Sequence, residues 1–345
     1  MNEDGLGRGT WIARGLWVVG FAVLFLSCAG SAAADYIYWS DTGLLSPGRS
    51  VNHIERANLD GSNVQTIFTS TGTNAFGGIA FDTASGYLYS ADRQFIFRSN
   101  LDGTGRVNLV SSPGGNSDVE LDLVHGKIYW GVDSAVPTLI RQANLDGTGV
   151  ETLVSRNSGN FEGLALDPVH GKLYYTFGET IGVSNLDGSG QSVFESLPAG
   201  SSPFDVEIDL ANGKLYWNQY ATNTTPSLRL LRRANLDGTG AIEDLVLATP
   251  PNNFNNGFEF DPAGGQLYYA LGSTITTTPT PVGIFRANAD GTGSQFLLND
   301  LNGFNYVEVV HLAQATNIPE PVSLALFGVG LVGLLGYRRR RKIAV

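Results

Sequence analysis

The sequence predicts an all-β chain folded as a six-bladed propeller. Three observations carry that expectation. The string Asn-Leu-Asp-Gly, or a close variant, begins at Asn58, Asn100, Asn144, Asn185, Asn235 and Asn288, at spacings of 41 to 53 residues. An aliphatic-Tyr pair recurs in step with it, at Tyr38, Tyr89, Tyr129, Tyr174, Tyr216 and Tyr268. An aliphatic residue stands four before each turn Asn, at Ile54, Ile96, Ile140, Ile181, Leu231 and Ile284. A period of this length with turn chemistry inside it marks a radial array of small β units.

Each unit reads as four strands. The first is a short run ending in Asp, at 78–82, 118–122, 163–167, 205–209 and 257–261; a sixth copy at 306–310 lacks the Asp. A turn follows, carrying Gly126, Gly171 or Gly213 in three copies. The Tyr run is the second strand and the run before the turn Asn is the third. A fourth apolar run, such as 107–110 or 150–154, follows the Asp-Gly. The runs are short and rich in β-branched and aromatic residues, the strand signature. Asp-Gly between two such runs is hairpin chemistry, because Gly accepts positive φ without a Cβ clash. Four strands in each of six units make about 24 strands. The chain starts on the Tyr38 run and so lacks the first strand of its own unit. The copy at 306–311 supplies it, and this 3+1 closure removes two open sheet edges.

With Tyr38-Trp39-Ser40-Asp41 and Ile54-Glu55-Arg56-Ala57-Asn58-Leu59-Asp60-Gly61-Ser62, the chain resembles the YWTD repeats (class B repeats) of the low-density lipoprotein receptor family. The resemblance spans about residues 36–312 and implies a six-bladed propeller. Arg recurs two before the turn Asn at Arg56, Arg98, Arg233 and Arg286, with Gln142 and Val183 in its place elsewhere.

The ends read as addresses. Residues 1–34 have the layout of a secretory signal: Arg8 and Arg14, an apolar core at 16–26, and Ala32-Ala33-Ala34 before Asp35. At the other end, Pro319-Glu320-Pro321 precedes an apolar stretch at 322–337 and then Arg338-Arg339-Arg340-Arg341-Lys342. Sixteen apolar residues make a short transmembrane segment, and the basic run holds its end in the cytoplasm. Motif, span and basic cluster in this order resemble the PEP-CTERM sorting signal of bacteria. That resemblance implies an exosortase-type processing protease as a partner, and export to the cell surface or extracellular matrix. The expected organisation is a signal at 1–34, a propeller at 35–313 and a sorting segment at 314–345.

Composition limits the function. Residues 35–337 hold fourteen basic and thirty acidic side chains, a net charge of −16. An acidic surface disfavours nucleic acid as a partner. Cys28 is the only cysteine and falls in the signal, so the mature chain has neither disulfides nor a thiol nucleophile. His125 and His170 occupy equivalent turn positions in two units, which fits a turn role rather than catalysis. No catalytic residues are singled out.

One set of residues stands out. Two before the Asp of the first strand lie Ala80, Glu120, Ala165, Glu207 and Glu259, with Glu308 in the sixth copy. If those strands line the axis, Glu120, Glu207, Glu259 and Glu308 form one tier of carboxylates. Asp118 and Asp205 share their strand faces two residues earlier. Such crowding calls for a cation, with oxygen ligands suited to calcium. The alternative is pairing with Arg56, Arg98, Arg233 and Arg286, or a water-filled channel. The sequence thus supports a secreted, non-enzymatic propeller that binds an extracellular protein or polysaccharide. A calcium-dependent propeller hydrolase or lactonase using the channel carboxylates is the alternative.

Overall fold

Among the described residues of a computed structural model of the chain, twenty-four strands pair into six antiparallel four-stranded sheets. The structure describes residues 35–44, 50–71, 76–112, 114–133, 137–157, 159–221, 228–248, 252–273, 283–299 and 303–310. The expected signal at 1–34 and sorting segment at 314–345 lie outside the described residues, as does His311. Among the described residues, no helix is long and apolar enough to cross a membrane.

The blades are numbered around the ring from the chain start. Blade 1 runs, inner strand to outer, Gly303–Val310, Tyr36–Leu44, Ser50–Asn58 and Gln65–Thr71. The inner strands of blades 2 to 6 are Phe76–Asp82, Asn116–Asp122, Leu164–Asp167, Ser201–Asp209 and Asn252–Asp261. Each touches the next, and the last touches Gly303–Val310, so the ring closes. The closure is the expected 3+1 arrangement: Tyr38 pairs with Glu308 and Trp39 with Val307.

Six hydrophobic clusters hold the ring, one at each seam between blades. At the closing seam, Ile37, Trp39, Ala57 and Val307 of blade 1 pack on Tyr268, Ala270, Ile284 and Leu298 of blade 6. The seam between blades 2 and 3 joins Tyr89, Ile96 and Val110 to Val119, Ile128 and Trp130. Strand alternation sends one face of every blade to each neighbour, so each repeat supplies half of two cores.

The Asn-Leu-Asp-Gly turn is a closed hydrogen-bonded unit that also locks a seam. In blade 3, Asn144 Nδ2 donates to Thr148 Oγ1 (2.8 Å), and the Thr148 N–H donates to Asp146 Oδ1 (2.9 Å). Gly147 has φ +85°, and a Cβ there would come within 2.5 Å of the Leu109 carbonyl oxygen on the outer strand of blade 2. Gly61, Gly103, Gly188 and Gly291 meet the preceding blade in the same way. Glycine is therefore required twice over, for the left-handed backbone and for the close approach.

The turn from inner to second strand lies on this same face. The Asp that ends five of the six inner runs caps the turn: Asp122 Oδ1 accepts the N–H groups of Val124 and His125 (both 3.0 Å). His125 Nδ1 lies 2.6 Å from Asp122 Oδ2, His170 Nδ1 lies 2.7 Å from Asp167 Oδ2, and Asn212 Nδ2 donates to Asp209 Oδ2 (2.7 Å). Two histidines and an asparagine do one job, the turn role expected of them.

The opposite face carries the links from second to third strand and the lead-ins to the inner strands. The strands of blade 1 reach far into this face: Tyr36–Leu44 and Ser50–Asn58 pair as far as Leu44 with Ser50.

Candidate functional site in the channel and on the loop face

The inner strands bring the predicted tier together. Ala80, Glu120, Ala165, Glu207, Glu259 and Glu308 each pair with the Tyr of the neighbouring second strand, at Tyr89, Tyr129, Tyr174, Tyr216, Tyr268 and Tyr38. They therefore stand at one height around the axis. Their carboxyls feel one another across the lumen: Glu207 is destabilised as an anion by burial first, then by Glu259, Asp205, Glu120 and Glu308. Burial also leads for Glu120, Glu259 and Glu308, and pushes Glu308 up to about 8. Glu259 and Glu308 interact through a side-chain hydrogen bond across the closing seam. A shared proton is how two crowded carboxyls avoid both being charged.

Asp118 and Asp205 have a different task from the one their spacing suggests. Asp118 accepts from its neighbour Val119 N–H (2.8 Å) and from Leu164 N–H on the next blade (2.8 Å). Asp205 accepts from Val206 N–H (3.0 Å) and from Phe258 N–H on its next blade (3.2 Å). Each carboxylate clips one inner strand to the following one. The blades before them carry glycine at the same position. A Cβ on Gly78 would strike Asp118 Oδ1, and one on Gly163 would lie 2.6 Å from the Asp205 Cα. The inner ring thus alternates Gly78, Asp118, Gly163, Asp205 and Gly257 before the closing strand. Burial raises both aspartates despite the two N–H donors, Asp118 to about 7.

The four repeat arginines do not neutralise this tier. Arg56 donates to Gln65 Oε1 on the outer strand (2.9 Å) and to Tyr38 Oη (3.2 Å). Arg233 donates to Glu243 (2.8 Å) and to the Ala289 carbonyl in the turn of the next blade (2.9 Å). Arg286 holds Gln295 (2.9 Å), and Arg98 lies over the Tyr87 ring at 4.3 Å. Gln142, standing for Arg in blade 3, keeps the contact by donating to Glu151 (2.8 Å). These side chains point along the seams because the third strand is two strands away from the axis. Among the described residues, no three His, Cys, Asp or Glu side chains converge closely enough to hold a metal ion. The acids face a common space from its walls.

A second location was not singled out by sequence. A recess of about 370 Å³ opens on the loop face between blades 4 and 5, lined by Gly159, Asn160, Glu162, Gly178, Ser202, Pro203 and Phe204. Burial, and then Asp133 beside it, raise Glu162 above the usual carboxylate range; burial raises Asp133 too. None of these residues belongs to a repeated signature, so periodicity gave no signal for them.

Comparison with known proteins agrees with this architecture. Residues 317–341 match the PEP-CTERM protein-sorting motif. The propeller is similar to a chain in the crystal structure of a nidogen/laminin complex, with 18% identity over 81% of this chain and 99% of that one and a TM-score of 0.64. It is also similar to TolB from Acinetobacter baumannii, at 14% identity over 80% of this chain and 66% of that one (TM-score 0.64). TolB from Agrobacterium tumefaciens matches at 12% identity over 81% and 99% (TM-score 0.58). At these identities the likeness is one of fold. The motif implies export, membrane anchoring before processing, and processing by an exosortase-type enzyme. The chain is a six-bladed β-propeller bearing a C-terminal PEP-CTERM sorting signal.

Proposed function

We propose that this chain is an exported, non-enzymatic binding propeller that engages an extracellular partner through its loop face and becomes associated with the matrix after processing. The observation that carries this reading is the asymmetry of the ring. The turn face repeats one hydrogen-bonded unit six times, whereas the loop face holds a recess built from residues that no other blade shares. Binding usually resides on such variable segments of a rigid frame. A nidogen propeller, in a complex with laminin, is a protein binder of this fold. The test is an array of extracellular proteins and polysaccharides probed with the mature chain. Phe204→Ala should lower the signal for any specific partner, and turn-face substitutions such as Val124→Ser should leave it intact. The reverse pattern refutes the reading.

The carboxylate tier favours one second reading, a cation-dependent hydrolase acting in the channel. Glu120, Glu207, Glu259 and Glu308 would hold calcium after moving inward from the walls. Calcium at millimolar concentration then raises the melting temperature by linkage, and the double variant Glu207→Gln/Glu259→Gln loses that response. No shift in the parent eliminates this reading.

A further inference from the structure

We propose that a recess between blades 3 and 4 on the turn face binds a guanidinium, at the place of the repeat arginine that blade 3 lacks. The recess has a volume of about 240 Å³ and is lined by Tyr129, Gln142 and Lys127 of blade 3 and by Leu186 and Asp187 of blade 4. Blade 5 shows what this place holds when the arginine is present. Arg233 donates to Glu243 on the outer strand (2.8 Å) and to the Ala289 carbonyl in the next blade's turn (2.9 Å), and it hydrogen-bonds the Tyr216 hydroxyl. Blade 1 repeats the unit: Arg56 donates to Tyr38 Oη (3.2 Å) and to the Leu101 carbonyl (3.5 Å). Arg98 and Arg286 bond Tyr89 and Tyr268 likewise. Gln142 is shorter. Its amide reaches Glu151 (2.8 Å), as Arg233 reaches Glu243. Among the described residues, no side-chain donor continues to Tyr129 Oη or to the carbonyl of Leu186, which holds the turn position of Leu101 and Ala289.

The acceptors that an arginine would serve are still in place. Tyr129 is 2% exposed, and burial, then Asp122 and Asp187, push its hydroxyl up to about 12. Asp187 holds the turn position of Asp102 and Asp290. Those two are held low first by Thr104 and Thr292 and, to a lesser degree, by Arg56 and Arg233, whereas Asp187 relies on Ser189. Lys127 does not take the arginine's place: its Nζ donates to Asn144 Oδ1 (2.7 Å), just as Lys214 donates to Asn235 Oδ1 (2.6 Å) beside Arg233 in blade 5. His125, which also lines the recess, has Nδ1 against Asp122 Oδ2 (2.6 Å). Blade 4 lacks the arginine too, having Val183, but there the Phe194 ring lies against Tyr174 (5.6 Å). A guanidinium offers five donors in a planar fork and can serve a hydroxyl, a carbonyl and a carboxylate together; an ammonium is a compact point charge. A volume of about 240 Å³ is below the ordinary range for whole small-molecule ligands and suits a single head group.

Calorimetry of the mature full-length propeller tests this with Nα-acetyl-argininamide, its uncharged citrulline isostere, Nα-acetyl-lysinamide and free arginine as probes. The arginine amide should bind saturably, on the order of millimolar for a single side chain, and the citrulline isostere should not. Gln142→Arg supplies the guanidinium from within the chain. It should abolish binding and raise the melting temperature by about 2 °C. Tyr129→Phe should weaken binding by about tenfold. Val124→Ser on the same face and Phe204→Ala on the loop face should bind as the parent does, which keeps this test separate from that of the loop-face reading. Melting temperatures confirm that the variants are folded. No binding by the parent, equal binding by a folded Gln142→Arg protein, or equal binding of the citrulline isostere overturns the proposal. So does binding of the lysine amide as tight as that of the arginine amide, which would make the recess a general cation site. Free arginine binding more tightly than the amide supports the site with a free guanidino solute as its ligand; the amide binding at least as tightly supports it with an arginine side chain on a protein.

Discussion

Aspartate behaves in opposite ways on the turn face and in the channel. Asp60, Asp102, Asp146, Asp187, Asp237 and Asp290 sit in the exposed turns, where Ser or Thr hydroxyl and N–H donors hold their carboxyls below the usual range. Asp118 and Asp205 also accept two N–H donors each, yet burial holds them above it. Water makes the difference. A solvated carboxylate gains from every donor, whereas a buried one must first offset lost hydration and, at Asp205, the repulsion of Asp118 and Glu308 as well. The repeat stabilises the ring at its turns and concentrates electrostatic stress along its axis.

The largest effect should come from opening the ring. Deleting Gly303–Val310 removes Val307 from the closing core and unpairs the Tyr36–Leu44 strand. The expected loss exceeds about 5 kcal/mol, comparable to the whole stability of an ordinary domain. Trimming from Asn317 onward should leave the melting temperature within a degree or two, about the effect of surface changes. Equal midpoints for the two truncations would refute the 3+1 closure.

Glycine substitutions sharpen the turn side of the comparison. Gly147 and Gly126 both have positive φ, +85° and +67°, but only Gly147 faces a neighbouring blade; around Gly126 the space is open. Gly126→Ala should cost about 1 kcal/mol for backbone strain alone. Gly147→Ala should cost about 2–4 kcal/mol, because the seam must also move. Chemical denaturation measures both, and equal costs would mean that the turn does not lock the seam.

The clips come next. Asp118→Ala leaves the buried N–H of Leu164 without its acceptor, and a loss of about 1–3 kcal/mol is expected. Asp118→Asn keeps one acceptor oxygen and should lie between that variant and the parent. If Asp118→Ala is the more stable protein, relief of repulsion outweighs the clip.

What repeats was legible in the sequence. Asn144, Asp146 and Gly147 announce their turn by recurring six times, and the copy at 306–311, left without a unit of its own, reveals which strand closes the ring. Glu120, Glu207, Glu259 and Glu308 were legible as a tier, because a period of two along each inner strand fixes their height. The direction of the arginines was not, since a third-strand residue can face either seam and only packing decides. Asp118 reads as one more channel acid, because its acceptor role depends on Leu164, 46 residues away. The recess at Glu162 draws on two blades and has no period at all.

The central claim is that protonation, rather than pairing with arginine, keeps the axis stable. Channel carboxyls raised in the folded state contribute stability below their unfolded values, about 4. That contribution is lost as pH rises through the folded values, near 7 for Asp118 and 8 for Glu308. The turn aspartates act with the opposite sign and lose their contribution as pH falls below about 4. The direct measurement is the melting temperature of the parent and of Glu259→Gln/Glu308→Gln, without calcium, from pH 5 to pH 9. The parent should fall by several degrees across that range and the double variant by clearly less. A parent curve that rises or stays flat, or a variant that falls as steeply, would contradict the account.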